Sequence, residues 1–357
     1  MFFRTYKYIK TKRCDFYNYF DKFVFIILEQ MKKNIAIVMG GYSSEVNISL
    51  KSGNVVYNHL DSEKYTLFRV CILKEKWVVL DDSDSEYPVN KIDFSFILND
   101  KKIVFDCVFN AIHGVPGENG MLLAYFDLIH IKHTSAPFYQ MALTFNKRDT
   151  LSIVKEYGIK TATSVYLNKG NHLDSNQIIR KVGLPCFVKP NNAGSSFGIS
   201  KVHTEQELLP AIEKAYKEDS AILIESFLDG VEVSVGVIQY EDALKVLPIT
   251  EIVSENDFFD YEAKYEGKSQ EITPARITEE ERIKVEVTAK KVYSILNMSG
   301  FSRSEFILVD GEPYFIEMNT VPGLTEESIL PQQALAAGIS LRALFDSAIV
   351  RSLGSSK

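Results

Sequence analysis

The chain has 357 residues, of which 46 % are apolar and 24 % charged, a composition typical of a water-soluble protein with two or three domains. Its formal net charge of −7 argues against a broad basic surface and therefore against nucleic-acid binding. No apolar run approaches the ~20 residues of a transmembrane helix, and the apolar stretch 23–28 lacks a signal-peptide cleavage site. The four cysteines are far apart and form no metal or disulfide pattern. We therefore predict a cytoplasmic protein that does not bind membranes.

Residues 1–30 are basic and rich in Phe and Tyr, without clear periodicity. A clean apolar strand, 35–39, follows only after Met31. We predict that 1–30 are an extension outside the fold; a short amphipathic helix that packs on the body is the alternative.

Strand-like and helix-like runs alternate, which predicts an α/β protein. The first strand ends in Gly40-Gly41, and Ser43 or Ser44 is the candidate N-cap of the next helix. An N-terminal α/β domain over 31–136 is expected to contain further strands at 66–73, 77–80 and 106–112 and a helix at 121–128.

A central domain is predicted over 137–220. Two helical stretches, 139–157 and 174–182, precede a strand at 184–190. A Gly/Ser-rich loop then leads into 197–202, which together predict a hairpin whose tip can close over a ligand.

A C-terminal domain is predicted over 221–357, opening with strands at 221–225 and 231–237. The polar stretch 253–273 is predicted to be a lid loop. Thr278–Glu281 is a capping-box pattern that opens a helix to about Asn297. The predicted core face of that helix is Ile283, Val287, Val292 and Leu296.

The last two strands, 301–309 and 313–318, carry the most informative polar residues. If residues 310–312 form a three-residue turn, Glu305 faces Glu317 and Arg303 faces Asn319. A two-residue turn would instead put Glu305 opposite Ile316. Two carboxylates and an amide oxygen are hard ligands suited to Mg²⁺ that also holds nucleotide phosphates. The metal site is the preferred interpretation over a solvated charged face, because both strands are otherwise strongly apolar.

Three further features are weaker taken alone. Lys189 and the glycine- and serine-rich stretch 194–198 could bind phosphate, although neither a P-loop nor a dinucleotide fingerprint is present. Glu45 follows a glycine turn at a helix start, where an anion site or a simple first-turn acid would both fit. Lys264 and Tyr265 lie in the long polar stretch and could belong to a lid or to a surface loop.

Together these motifs resemble the D-alanine–D-alanine ligase family of the ATP-grasp superfamily, from Met31 to about Leu353. The resemblance rests on five collinear segments: GGYSSEVNISLKSG (40–53), HGVPGENG (113–120), VKPNNAGSSFG (188–198), DYEAKY (260–265) and EMNTVPGLTEESILP (317–331). It implies a three-domain ATP-grasp fold with the nucleotide between the central and C-terminal domains. It also implies a homodimer that uses ATP and two Mg²⁺ ions, replaceable by Mn²⁺, to join two D-alanines through an acyl phosphate for peptidoglycan synthesis.

The resemblance also implies roles for individual residues. On the nucleotide side, Lys147 and Lys189 would meet the phosphates, Lys264 the γ-phosphate, and Glu225 and Glu232 the adenine and ribose. The Mg²⁺ ligands would be Glu305, Glu317 and Asn319. The catalytic group would be Glu45, Ser195 and Tyr265, which close the lid as a hydrogen-bonded trio, together with Arg303 and the Gly323 N–H as oxyanion donors. Substrate contacts would come from His113 and, at the second alanine's carboxylate, from Ser328.

The sequence departs from the family pattern at three places. Residues 1–30 have no counterpart, Glu305 replaces the usual Asp, and Asn119 replaces the usual acid after Glu118. Two other functions remain open at this stage: a related ligase with D-lactate as second substrate, and a non-catalytic ATP-binding regulator.

Overall fold

The computed structural model describes residues 32–192, 194, 197–254 and 269–354. Three main sheets and a small two-stranded one organise this part of the chain. No single helix within it is long and apolar enough to cross a bilayer, and the one helix pair whose joint composition would allow it is bent by 102°.

The first sheet has the strand order β4-β3-β2-β1-β7-β8. Its centre is parallel, because β1 pairs in parallel with both β2 and β7. Both faces of β1 are buried, as expected for a central parallel strand. The elements of this region are β1 (Lys33–Gly40), α1 (Val46–His59), β2 (Tyr65–Ile72), β3 (Trp77–Leu80), β4 (Glu86–Pro88), the hairpin β5 (Phe96–Leu98) and β6 (Lys101–Ile103), β7 (Cys107–Asn110), α2 (Met121–Leu128) and β8 (Lys132–His133).

The prediction of Ser43 or Ser44 as N-cap of the first helix is wrong. Helix α1 begins at Val46, and Glu45 occupies the N-cap position without a side-chain cap bond. The Ser43 hydroxyl instead accepts a 3.3 Å hydrogen bond from the Glu45 N–H and donates to the His113 carbonyl. The serine therefore shapes the loop that carries Glu45.

The second sheet is antiparallel, with the order β11-β10-β12-β9. The predicted hairpin is confirmed by the pairing of β10 with β11. The elements from the first sheet to the end of this one are α3 (Phe138–Phe145), α4 (Lys147–Glu156), β9 (Ser164–Asn168), α5 (Ser175–Val182), β10 (Cys186–Pro190), β11 (Ser200–Val202), α6 (Glu205–Ala215) and β12 (Ala221–Ser226).

Strand β12 differs from its predicted position. It was expected to open the third unit, but it pairs with β10 and β9 inside the second sheet. Its buried residues Ile222 and Ile224 join the core that α5 and α6 cover. The three-domain division stays a prediction, and this pairing favours moving the boundary at 220/221 to beyond Ser226.

The third sheet has the order β16-β15-β13-β17-β18, with β14 paired to β13. Part of the predicted lid loop 253–273 is regular structure, because β15 and β16 pair from Glu251↔Ile272 to Ser254↔Ser269. Residues 255–268 lie outside the described part of the chain. The elements are β13 (Val231–Tyr240), β14 (Ala243–Val246), β15 (Thr250–Ser254), β16 (Ser269–Ile272), α7 (Glu279–Ile295), β17 (Ser302–Val309), β18 (Glu312–Asn319), α8 (Ile329–Ala336) and α9 (Leu341–Gly354).

Helix α9 ties the third region to the first. Phe345 is fully buried and meets Phe109 of β7 edge to face, with 5.8 Å between the ring centroids. Lys64, just before β2, forms a 2.8 Å ion pair with Asp346. The sheet that carries the candidate metal ligands is thereby packed against the region that carries Glu45 and His113.

The β17–β18 hairpin combines a two-residue turn with a β-bulge. Val309 pairs with Glu312, so the turn is Asp310-Gly311, and both residues have positive φ, 50° and 74°. The register shifts between Glu305 and Phe306, which makes Ile316 the extra residue of the bulge. The two-residue turn is the alternative that the sequence left open. With this turn alone Glu305 would face Ile316, but the bulge restores the pairs expected of a three-residue turn at the polar end of the hairpin.

This turn gives a stability prediction. A Cβ at Gly311 would meet nothing closer than 3.8 Å, so Gly311→Ala tests only the left-handed backbone. We expect it to lower the free energy of unfolding by about 1 kcal/mol. Gly311→Asn should lower the free energy of unfolding by less than Gly311→Ala does, since asparagine tolerates this conformation. Urea denaturation of both variants checks the order, and an alanine variant as stable as wild type would contradict it.

Candidate active site

The β17–β18 hairpin sets four polar side chains into two cross-strand pairs. Glu305 lies directly opposite Glu317, and Arg303 lies opposite Asn319, as the sequence predicted. The pairs occur at the end of the hairpin farthest from the turn. Residues at directly opposed positions share a face of the sheet, so these side chains share one site.

Arg303 is the cation of this group, and two hydrogen bonds hold it in place. Its Nη1 donates to Glu305 Oε1 at 2.5 Å and to the Ser234 hydroxyl of β13 at 2.9 Å. Burial by itself lowers the pKa of Arg303, but the Glu305 carboxylate outweighs it and the pKa is raised. The guanidinium is therefore a fixed positive charge held from two strands.

The carboxylate of Glu317 is paired with a different cation, Lys147. Lys147, the first residue of α4, places its Nζ 3.2 Å from Glu317 Oε2. The α4 start is held against the end of β10, since the Lys147 and Arg148 N–H groups both donate to Asn191. Two adjacent carboxylates that would repel each other are thus each neutralised separately.

The candidate metal ligands are two carboxylates and one amide. Asn319 Nδ2 donates to Glu305 Oε1 at 3.3 Å, so the amide lies beside the carboxylate pair. Among the described residues, no group of three or more His, Cys, Asp or Glu side chains could hold a metal ion. Glu305, Glu317 and Asn319 nevertheless fit Mg²⁺ by the chemistry of their oxygens.

A second ion pair lies on the second sheet. Lys189 of β10 is 3.0 Å from Glu225 of β12, and the Ser164 hydroxyl donates to the same carboxylate at 3.2 Å. Burial opposes the charge of Lys189, but Glu225, then Glu317 and Glu232, outweigh it and raise its pKa. The carboxylates of Glu317 and Glu232, both on the third sheet, are therefore near enough to Lys189 on the second sheet to favour its charged form.

A cavity of about 380 Å³ adjoins the hairpin. Residues from all three sheet regions line it. The predicted catalytic and substrate residues among them are Glu45, His113, Arg303, Gly323 and Ser328, and the predicted metal ligands among them are Glu317 and Asn319. Gly323 lies against Ser328, whose hydroxyl is 2.7 Å from that of Thr325.

Glu45 meets the tip of the β10–β11 hairpin. A Cβ added at Gly194 would lie 2.8 Å from Glu45 Oε2, so a larger residue there would require the Glu45 carboxylate to shift. Gly194, between β10 and β11, therefore lies against the loop that precedes α1. The predicted partners Ser195 and Tyr265, and the lid lysine Lys264, lie outside the described residues.

Sequence reasoning gave no role to Glu118, Ser164 or Ser234. Glu118 lines the cavity, with one carboxylate oxygen accepting from the Gly114 N–H at 2.7 Å and the other from the Val321 N–H at 3.2 Å. Its position inside the HGVPGENG segment was the available signal. The two serines carried none, since each acts through a residue far away in the sequence.

Glu118 gives a pH prediction for the ligand-free protein. Desolvation, then the Glu45 carboxylate, raises the pKa of Glu118 to about 7. A Glu in the unfolded chain ionises near pH ~4.3, so between these values the folded state holds more protons. Stability should therefore fall as pH rises through this window. Glu118→Gln should flatten the fall in melting temperature between about pH 5 and 7.5.

The control is Glu312→Gln, on β18. Hydrogen bonds from Lys284 and then Lys160 lower the pKa of Glu312, so this group does not titrate in the same window. Equal pH slopes in wild type and Glu118→Gln would contradict the assignment.

Family models match most of the chain. The model described as D-ala D-ala ligase N-terminus matches residues 34–136, and D-ala D-ala ligase C-terminus matches 153–350. A D-alanine--D-alanine ligase of Flavobacterium johnsoniae is 68 % identical over 321 residues, which cover 90 % of this chain and 99 % of the relative.

Solved structures agree with this. The VanG D-Ala:D-Ser ligase of Enterococcus faecalis aligns with a TM-score of 0.78 at 31 % identity, covering 89 % of this chain and 99 % of the other. A D-alanine--D-alanine ligase of Bacillus anthracis complexed with ATP aligns with a TM-score of 0.72 at 27 % identity, covering 90 % and 97 %.

Fold and site first define the class, which is that of ATP-grasp ligases. Within this class, the chain belongs to the D-alanine–D-alanine ligase family.

Proposed function

We propose that this protein joins two molecules of D-alanine into D-alanyl-D-alanine, with ATP converted to ADP and phosphate, for peptidoglycan precursor synthesis. The observation that carries the proposal is that Arg303, Glu317 and Asn319 line the cavity that Glu45 and Gly323 also line, with Glu305 directly opposite Glu317 on the neighbouring strand. A phosphoryl-transfer site and an acyl-transfer site would thereby share one wall.

The nucleotide would bind between the second and third sheets, with Glu225 and Glu232 at the adenosine end. Lys147 and Lys189 are each paired with a carboxylate in the ligand-free protein. ATP phosphates would take over the Lys147 ammonium from Glu317, which frees that carboxylate to bind metal. Lys189 would add its charge to the same phosphates.

Glu305, Glu317 and Asn319 would hold Mg²⁺, two ions in our proposal, with Mn²⁺ as a substitute. The metal supplies neutralisation of the charge on the transferred phosphoryl group. The chain's own task is to present the three oxygen ligands on one face, which the β-bulge at Ile316 achieves. Arg303 holds Glu305 in place from the neighbouring position on the same face.

The first D-alanine carboxylate would attack the γ-phosphate and displace ADP. The amine of the second D-alanine would then attack the acyl phosphate and, with loss of a proton, displace inorganic phosphate. Arg303 and the Gly323 N–H would donate to the oxyanion of the tetrahedral intermediate. Ser328 would bind the carboxylate of the second alanine, and His113 would lie on the substrate side. Glu45, with Ser195, Tyr265 and Lys264, would close the site against water, which would otherwise hydrolyse the acyl phosphate.

The proposed setting is a cytoplasmic homodimer, without nucleic acid or membrane as partner. Cytoplasm supplies ATP and the reducing conditions that suit the buried free thiols of Cys71, Cys107 and Cys186.

Substrate specificity is tested with purified protein, ATP and Mg²⁺. D-Alanine is compared with L-alanine, and with D-alanine mixed with D-serine or D-lactate; products are identified by mass. We expect D-alanyl-D-alanine as the main product and none from L-alanine. If the mixed product with D-serine or D-lactate were preferred, the protein would still be a ligase, but with that compound as its second substrate. ATP binding without any product would refute the proposed function.

A further inference from the structure

The chain segment that follows β18 is held by hydrogen bonds from the first region of the molecule. The ring nitrogen Nδ1 of His113 lies 2.8 Å from the Val321 carbonyl oxygen. The Val321 N–H donates to Glu118 Oε1 at 3.2 Å, and the Leu324 N–H donates to the Ser52 hydroxyl at 3.3 Å. Both backbone groups of Val321 are therefore bound by one loop, residues 113–118.

The three side chains also support one another. The Ser52 oxygen lies 2.9 Å from His113 Nε2, and both groups are buried. The Val321 carbonyl can only accept, so Nδ1 must carry the proton and Nε2 must accept from the Ser52 hydroxyl. Burial lowers the pKa of His113, which agrees with this neutral tautomer. Glu118 is fixed in turn by the Gly114 N–H, at 2.7 Å.

Both ring nitrogens of His113 are thus engaged by protein groups, although the side chain lines the cavity. A histidine used in this way acts through the backbone that it holds. The backbone in question is Val321, which lies two residues after Asn319 and two residues before Gly323. One fixed point therefore lies midway between a candidate metal ligand and a candidate oxyanion donor.

We propose that Ser52, His113 and Glu118 form a positioning clamp on Val321–Leu324, which aligns the Gly323 N–H with the acyl phosphate and so couples ATP consumption to peptide-bond formation. This inference rests on the proposed function. A displaced Gly323 N–H leaves phosphoryl transfer intact, because Lys147 and Lys189 are held by other elements and Asn319 stays paired with Arg303 inside the third sheet. The acyl phosphate then reacts more slowly with the amine, and water competes for it.

The readout is the ratio of phosphate released to dipeptide formed, together with kcat and the KM for ATP. The wild type should release about one phosphate per dipeptide. In Ser52→Ala and in His113→Ala, kcat for dipeptide should fall about 10-fold or more, and the ratio should rise to about 2 or above. The KM for ATP should stay within about 2-fold of wild type.

Two further variants separate positioning from folding. His113→Asn keeps an N–H donor near the place of Nδ1 and should recover part of the coupling lost in His113→Ala. Asn119→Ala is the matched control: its side-chain oxygen accepts from the N–H of Met121, the first residue of α2, rather than from a member of the clamp. It should keep the wild-type ratio.

The outcomes are distinct. A raised ratio in the Ser52 and His113 variants, with the control unchanged, supports the clamp. The clamp is overturned if the ratio of phosphate to dipeptide stays at the wild-type value. This holds when kcat is unchanged and also when kcat falls in step with the folded fraction measured by circular dichroism. Absence of dipeptide from the wild type would instead be a failure of the proposed function.

Discussion

Arg303→Ala is expected to lower kcat for dipeptide formation by about 10²–10³-fold, or roughly 3–4 kcal/mol of transition-state stabilisation. The guanidinium is held from both sides, by Glu305 and by the Ser234 hydroxyl, so it is oriented before substrate arrives. A preorganised donor of this kind acts on charge that develops only in the transition state. Binding of ATP should change little, and steady-state kinetics with both substrates varied measures the two effects separately.

The control is Arg276→Ala. Arg276 forms the same type of Arg–Glu contact, 2.8 Å to Glu251, but its side chain is 63 % exposed and it does not line the cavity. The kcat of Arg276→Ala should be close to that of wild type. If Arg303→Ala instead raised the KM for ATP as much as it lowered kcat, Arg303 would be a nucleotide-binding residue and the oxyanion assignment would be wrong.

Glu317→Gln is expected to reduce turnover on the order of 10²-fold at fixed Mg²⁺ and to raise the Mg²⁺ concentration needed for half-maximal rate. The substitution keeps shape and volume but removes the charge that pairs with Lys147 at 3.2 Å and faces Glu305 across the strands. A neutral amide is a weaker ligand for a hard cation. A titration of rate against Mg²⁺ at saturating ATP measures the shift.

Glu312→Gln is the comparison variant on the same strand. Glu312 is bound by Lys160 and Lys284 outside the cavity, so its loss should leave the Mg²⁺ titration unchanged. Identical Mg²⁺ dependence in Glu317→Gln and wild type would remove Glu317 from the metal site.

The hairpin shows that the turn type alone does not fix the register of two strands. Opposed carboxylates were expected only if residues 310–312 formed a three-residue turn, and Asp310-Gly311 forms the two-residue alternative. The extra residue Ile316 shifts the ladder back by one, so Glu305 still faces Glu317. Nothing in the sequence of β18 marks the bulge, because the extra residue Ile316 is one of several consecutive apolar residues.

Helix α7 shows the limit of periodicity. Its capping box at Thr278 and Glu281 is confirmed, and Val292 and Leu296 are buried as predicted. Ile283 and Val287 are 48 % and 61 % exposed, however, and the buried face begins with Val285 and Ala289. Apolar residues recur at helical spacing on two sides of this helix, and only the packing partner decides which side is covered.

The charge pairs of the site could not be read from the sequence at all. Lys147 and Glu317 are 170 positions apart, and their contact depends on how α4 meets β18. Local motifs therefore identified which residues carry chemistry. Only the folded chain shows which cation pairs with which carboxylate. The same is true of the hydrogen bonds from Ser52 and His113 to the segment after β18.

The most direct test of the proposed reaction is oxygen transfer from the substrate. D-Alanine labelled with ¹⁸O in its carboxylate is incubated with the protein, ATP and Mg²⁺, and the released phosphate and dipeptide are analysed by mass. An acyl-phosphate route predicts one ¹⁸O in about every phosphate, in step with dipeptide formed. Unlabelled phosphate, or AMP in place of ADP, would contradict carboxylate activation by the γ-phosphate at this site.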